Sequence, residues 1–240
     1  MIKLNLVENL NRNTELNFNS FVIEPLNVGQ GITLGNALRR ILISDITGFA
    51  VTGTRINNLK HEFSTIQGVR EDVLEIMLNL KEIVIKNSFS LLSKRNNSEH
   101  FDFKFKGYLN VKGPCVVTAG LFNLPKSFLS IINPNQYICT IEDNSELYIE
   151  IDLKRGKGYL INSYENSKVA NSNTLLIDSV FTPIRKVNFK IKLITDSYGN
   201  IKESLVLDIA TNGSITPRRA LQESLKVLLN LTYPLLISKI

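Results

Sequence analysis

The residues of this chain best suited to do chemistry are two histidines, two cysteines and a lysine held between glycines. His61, His100, Cys115 and Cys139 could in principle furnish a four-ligand zinc site. Structural zinc sites nearly always include a ligand pair about two to four residues apart, and here the nearest two are fifteen apart. No metal is expected. Gly156-Lys157-Gly158 is glycine-rich and basic, as a phosphate contact would be, but reads more simply as a β-turn exposing a lysine. GxSxG, GxxxxGK[ST] and GxGxxG do not occur in a workable context, so neither a catalytic residue nor a cofactor is expected. Glu71-Asp72 falls in the expected first turn of a helix, where acidic residues favour the positive end of the dipole.

The background is that of a globular domain protein. Of 240 residues, 43% are hydrophobic and 21% charged, and 28 basic residues against 22 acidic leave a net charge of +6. That surplus allows nucleic-acid binding, but no block of five like charges supports it. No run approaches the ~18–20 apolar residues of a membrane helix. Met1 to Ser20 lacks the apolar core of a secretory signal and the character of a transit peptide, so synthesis in the working compartment is expected. Cys115 and Cys139 each lie in an apolar, strand-like setting, which suits buried free thiols. The abundance of Asn, Ile and Lys fits AT-rich codons.

The elements follow from periodicity. Phe21 to Leu26 reads as a strand ending at Pro25. A helix from about Thr33 to Ser44 carries Leu34, Ala37, Leu38, Ile41 and Leu42 on one stripe. A second, from about Val69 to Leu80, is apolar on two sides, with Leu74 and Leu78 as the second ridge. The middle is mostly β: Phe101, Phe103 and Phe105 alternate with polar residues, as do Leu147, Ile149, Ile151 and Leu153. A polar loop, Asn162 to Asn173, precedes a strand or short helix at Leu175 to Phe181. Val187 to Leu193 and Leu205 to Ile209 make a hairpin. A last helix starts at Thr216-Pro217, as N-cap and first helical residue, and runs through Leu221, Leu225, Leu228 and Leu229 to end near Tyr233, before Pro234. The fold class is α+β.

The outer face of the first helix is the informative feature. At 100° per residue from Leu34, Asn36, Arg39, Arg40 and Ile43 fall at about 200°, 140°, 240° and 180°, opposite the apolar stripe. An apolar centre with fork-shaped donors around it suits a partner-binding face; a solvated face with one stray isoleucine is the plainer alternative.

A run of motifs in order then carries a family resemblance. Phe21-Val22-Ile23-Glu24-Pro25-Leu26 and Gly31-Ile32-Thr33-Leu34-Gly35-Asn36-Ala37-Leu38-Arg39-Arg40-Ile41-Leu42 open it. His61-Glu62-Phe63-Ser64-Thr65, Gly68-Val69-Arg70-Glu71-Asp72 through Lys81, Gly113-Pro114 and Val117-Thr118-Ala119 follow. Arg155-Gly156-Lys157-Gly158-Tyr159, Asp178-Ser179-Val180-Phe181-Thr182-Pro183 and Thr211-Asn212-Gly213-Ser214-Ile215-Thr216-Pro217 complete it. The whole, from about Phe21 to Leu231, resembles the N-terminal half of the alpha subunit of DNA-directed RNA polymerase of the bacterial and plastid type.

The resemblance implies two subdomains. One, residues 1–50 plus 177–240, is a dimerisation subdomain of helices on an antiparallel sheet; residues 51–176 form an inserted, mostly-β subdomain. It implies a homodimeric scaffold, without catalytic residues or cofactors, that assembles the beta and beta-prime subunits and meets DNA only through the complex, with no membrane contact. Arg40, Ile43 and their neighbours Asn36 and Arg39 match the beta-binding face; Lys81 and Ile177 match positions offered to beta-prime. Two copies would pair through the first and last helices, with Leu34, Leu38, Ile41, Leu42, Leu221, Leu225 and Leu228 as dimerisation residues. Family members normally continue into a C-terminal DNA-binding domain, which is expected to be absent here. The motifs look most like cyanobacterial and algal-plastid versions, implying a plastid stroma or, alternatively, a bacterial cytoplasm. The competing reading from composition is a free-standing basic nucleic-acid-binding dimer.

Overall fold

A computed structural model describes residues 3–7, 17–57, 59, 61–87, 104–125, 127–161, 174–196 and 198–237. His100, Phe101, Phe103 and the loop 162–173 lie outside them. In chain order the elements are β1 (Lys3–Val7), β2 (Asn17–Leu26), α1 (Gln30–Ser44), β3 (Thr47–Ile56), α2 (Val73–Lys81), β4 (Ile85–Asn87), β5 (Lys104–Lys112) and β6 (Cys115–Thr118). A 3₁₀ turn at Ala119–Leu121 leads to β7 (Leu129–Ile131), β8 (Tyr137–Ile141), β9 (Glu146–Lys157), β10 (Tyr159–Leu160), β11 (Leu175–Leu176) and β12 (Ser179–Val180). β13 (Ile184–Thr195), β14 (Ile201–Thr211) and α3 (Pro217–Ile237) close the chain.

These elements divide into two compact units, Met1–Thr47 with Thr182–Ile240, and Gly48–Phe181. β3 beyond its first residue, together with β11 and β12, belongs to the second unit. The architecture is α+β with mostly antiparallel sheets.

The first unit is a four-stranded antiparallel sheet in the order β1-β2-β14-β13 with α1 and α3 packed on it. β13 and β14 pair from Thr195 opposite Ile201 back to Ile184 opposite Thr211, so Val187, Phe189 and Ile191 meet Ile209, Leu207 and Leu205 on one face. Those residues, with Phe21, Leu38, Leu42, Ile46 and Leu221, form its apolar core.

The second unit is built on a six-stranded sheet, β5-β9-β3-β4-β7 with β11 added on β3, and the two ribbons β6-β8 and β10-β12. Ile149, Ile151 and Leu153 of β9 and Leu109 of β5 are fully buried, as the alternation requires. α2 contributes Val73, Ile76, Met77 and Leu80 to this core. It starts at Val73, four residues later than expected. Glu71 is therefore not a first-turn residue: its carboxylate is buried, accepting from the Tyr137 hydroxyl and, at 2.7 Å, from the Thr140 N–H. Gly156-Lys157 also departs from expectation, since β9 runs through Lys157 and only Gly158, at φ 62°, turns.

α3 differs most from the sequence reading. It continues through Pro234 to Ile237. A helical proline removes one N–H from the ladder, here the partner of the Asn230 carbonyl, and Asn230 lies in an exposed turn where water can replace it.

Candidate partner-binding faces

α1 has no acidic residue in its first turn, and its N-cap position is Gly29, in the left-handed region at φ 88°, which offers no side chain. The missing cap arrives from β14. The Glu203 carboxylate, only 7% exposed, accepts from the Gly29 N–H at 2.9 Å and the Gly31 N–H at 2.8 Å. It thereby satisfies two otherwise orphaned donors and places a negative charge at the positive end of the helix dipole. One turn on, a Cβ at Gly35 would meet the Phe189 ring at 2.7–3.0 Å, so glycine lets α1 lie close on β13. At the other end, the Thr182 hydroxyl donates to the Ile43 carbonyl at 3.0 Å.

So anchored, α1 buries Leu38, Ile41 and Leu42 and turns Asn36, Arg39 and Arg40 out to solvent, with Ile43 46% exposed beside them. Neither guanidinium forms an ion pair among the described residues. The face is longer than expected. Ile32, 52% exposed, lies four residues before Asn36 and on the same side; the helix begins at Gln30 rather than Thr33, and that displaced start hid it.

The residues expected to pair two copies separate into two groups. Leu38, Ile41, Leu42 and Leu221 are within this unit's own core, each at most 8% exposed, so they offer a second chain almost no surface. Leu34 and Leu228 are half-buried and line a concavity of about 320 Å³ with Val28, Thr33 and Ala37. Leu225 is exposed, and so are Leu229, Leu231, Tyr233, Leu236 and Ile237. The second half of α3 is thus an exposed apolar helix. The expectation that α3 stops at Tyr233 concealed its last turn.

In the second unit, Lys81 ends α2 with its ammonium 5.7 Å from the centroid of the Tyr159 ring. Tyr159 pairs across β10-β12 with the exposed Val180, and its hydroxyl donates to Asp178 at 3.3 Å. Ile177 does not share this surface. It is 4% exposed, packed in the core, with its N–H on the Thr52 carbonyl. Alternation along β11 and β12 is the reason: Leu175, Ile177 and Ser179 turn inward, leaving Asp178 and Val180 outside.

The remaining candidates are quiet. Both cysteines are free. Cys139 is fully buried, and burial, aided by the nearby Glu71 charge, pushes its thiol up to about 12, far from a reactive thiolate. Cys115 is only half-buried. His61 is exposed and bonded to Ser64. Among the described residues, no three His, Cys, Asp or Glu side chains are grouped to hold a metal, and no helix is long and apolar enough to cross a membrane.

Comparison with known proteins assigns the arrangement. Residues 54–182 match the family described as the RNA polymerase Rpb3/RpoA insert domain. A DNA-directed RNA polymerase subunit alpha from Synechocystis sp. is 44% identical over 235 residues, covering 97% of this chain and 70% of that protein. This chain belongs to the RNA polymerase alpha-subunit family. Alpha subunits from Phaeodactylum tricornutum and Porphyra purpurea are 47% and 46% identical over 91% and 89% of the chain. The chain spans 65% and 64% of the length of those two relatives. The matched insert domain nearly coincides with the second compact unit, residues 48–181.

Proposed function

We propose that the chain is the alpha subunit of a DNA-directed RNA polymerase, acting as a homodimeric scaffold on which the beta and beta-prime subunits assemble. Its contribution to RNA synthesis is positional, and the nucleotidyl-transfer chemistry belongs to the large subunits. The observation that carries the reading is the outer face of α1: two exposed guanidinium groups without ion pairs among the described residues, an asparagine, and two exposed isoleucines, on a helix whose start is clamped by a buried carboxylate.

The beta subunit docks on Ile32, Asn36, Arg39, Arg40 and Ile43. Arginine suits such a face because its planar fork fixes orientation as well as charge. The beta-prime subunit takes the surface of Lys81, Tyr159, Asp178 and Val180 on the second unit, with Ile177 holding it from beneath. A second copy of the chain covers the exposed leucines of α3 and the concavity lined by Leu34 and Leu228. A two-fold dimer presents each face twice, so one copy uses its α1 face for beta while the other uses its Lys81 surface for beta-prime. Algal and cyanobacterial relatives support a plastid stroma, or a bacterial cytoplasm, as the compartment.

Arg40→Ala tests the reading. The variant is expected to remain dimeric and to lose about 2–4 kcal/mol of beta binding, as buried arginine anchors do, which removes beta from a pull-down. Undiminished recovery of beta would refute the assignment of this face.

A further inference from the structure

β13 carries a row of cations that the scaffold role leaves unused. It is an edge strand of the four-stranded sheet. Its Val187, Phe189 and Ile191 point to the helices, so Lys186, Asn188, Lys190 and Lys192 point to the opposite face. All four are exposed, as is Arg185 at the bulge that precedes them. The three lysines span about 20 Å along the strand at ~3.4 Å per residue.

The sheet offsets this row only in part. The positions opposite the lysines on β14 are Ala210, Val206 and Ser204. Of the β14 carboxylates, Glu203 turns inward to α1, and Asp208, opposite Asn188 and accepting from the Ser20 hydroxyl at 2.5 Å, is the one that shares the face of the lysines. None of the three lysines is in an ion pair among the described residues. Lysines on an edge strand also deter sheet-to-sheet pairing, but strand side chains stand perpendicular to the sheet, so these also charge the strip of the face along β13.

We propose that this row is a docking surface for the phosphate backbone of duplex DNA, which the subunit contacts directly and without regard to sequence. Charge complementarity selects the occupant: duplex DNA presents one phosphate per ~3.4 Å of axis on each strand, and lysines that meet phosphate oxygens fix position without reading sequence. The inference rests on the alpha-subunit reading for bringing a DNA template near, and it departs from the expectation that DNA is met only through the other subunits.

The test uses the full chain, and the polymerase purified with it, against a duplex of mixed sequence, with affinity followed over salt concentration. The variant K186Q/K190Q/K192Q keeps polar side chains on the edge and removes the charge. Three lost phosphate contacts lower the log–log salt slope by about 2.7, so wild-type affinity falls about 40-fold more than the variant's between 50 and 200 mM salt. An unchanged slope overturns the proposal. A variant that aggregates while its soluble fraction keeps the wild-type slope assigns the lysines to edge protection and also overturns it. Recovery of beta and beta-prime is scored in parallel: loss of a large subunit with an unchanged slope makes the row a protein contact. If wild-type protein captures neither large subunit, the scaffold reading fails by itself, whatever the DNA slope.

Discussion

Glu203 fastens the start of the helix that carries the proposed beta-binding face. Two N–H groups at the start of α1, one of them buried, depend on its carboxylate. Leaving a buried donor unsatisfied costs about 1–3 kcal/mol, so Glu203→Ala is expected to lower unfolding stability by that amount in a urea titration. A second buried carboxylate gives stability a pH dependence. Burial pushes the Glu71 carboxyl up, but hydrogen bonds from Tyr137 and Thr140 and the charge of Arg70 outweigh it and leave it below its ordinary value. A lowered carboxyl contributes its stability above the unfolded value and loses it as pH falls through the folded one. Wild-type protein is therefore expected to weaken on acidification below about pH 5. Glu71→Gln should show a shallower decline in urea midpoint over the same range, and parallel curves would count against the assignment.

At the scale of elements, the exposed apolar length of α3 is the surface that the proposed dimer would cover. Leu229 and Leu236 are 60% and 83% exposed, so Leu229→Glu with Leu236→Glu costs the fold of one chain little. A shift from dimer to monomer by sedimentation, with an unchanged helical signal, is the expected outcome; a persistent dimer would place the pairing surface elsewhere. This helix also marks where sequence reasoning stops. The apolar spacing of α1 and the alternation of β9, β13 and β14 were legible because each is a local pattern. The outward turn of Asn36, Arg39, Arg40 and Ile43 followed from α1's period alone. Glu203 was not legible, because it reaches α1 from 172 residues away, and Glu71 misled because a helix-favouring position was taken by a tertiary contact. The core burial of Leu38, Leu42 and Leu221 was hidden for a related reason. An apolar stripe tells that a face is covered, and not whether the same chain or another covers it.

At the scale of the molecule, the first unit is made from both ends of the chain and the second is inserted between them. The hydrogen bond from Thr182 to Ile43 brings the two cut ends of the first unit together, so a short linker can replace residues 48–181. Such a deletion is expected to fold, to dimerise and to keep the α1 face, while losing the Lys81 and Tyr159 surface. Capture of beta without beta-prime by this shortened protein would bear that out; an unfolded product, read by circular dichroism, would show that the insert is needed for folding. The same discontinuity orders events during synthesis. A ribosome that has finished α1 must add more than 150 further residues before Glu203 emerges to fasten the helix. On the proposed scaffold role, an unfinished nascent chain is expected not to claim a large subunit, and stalled fragments ending before β14 should fail to sequester beta when the two are translated together.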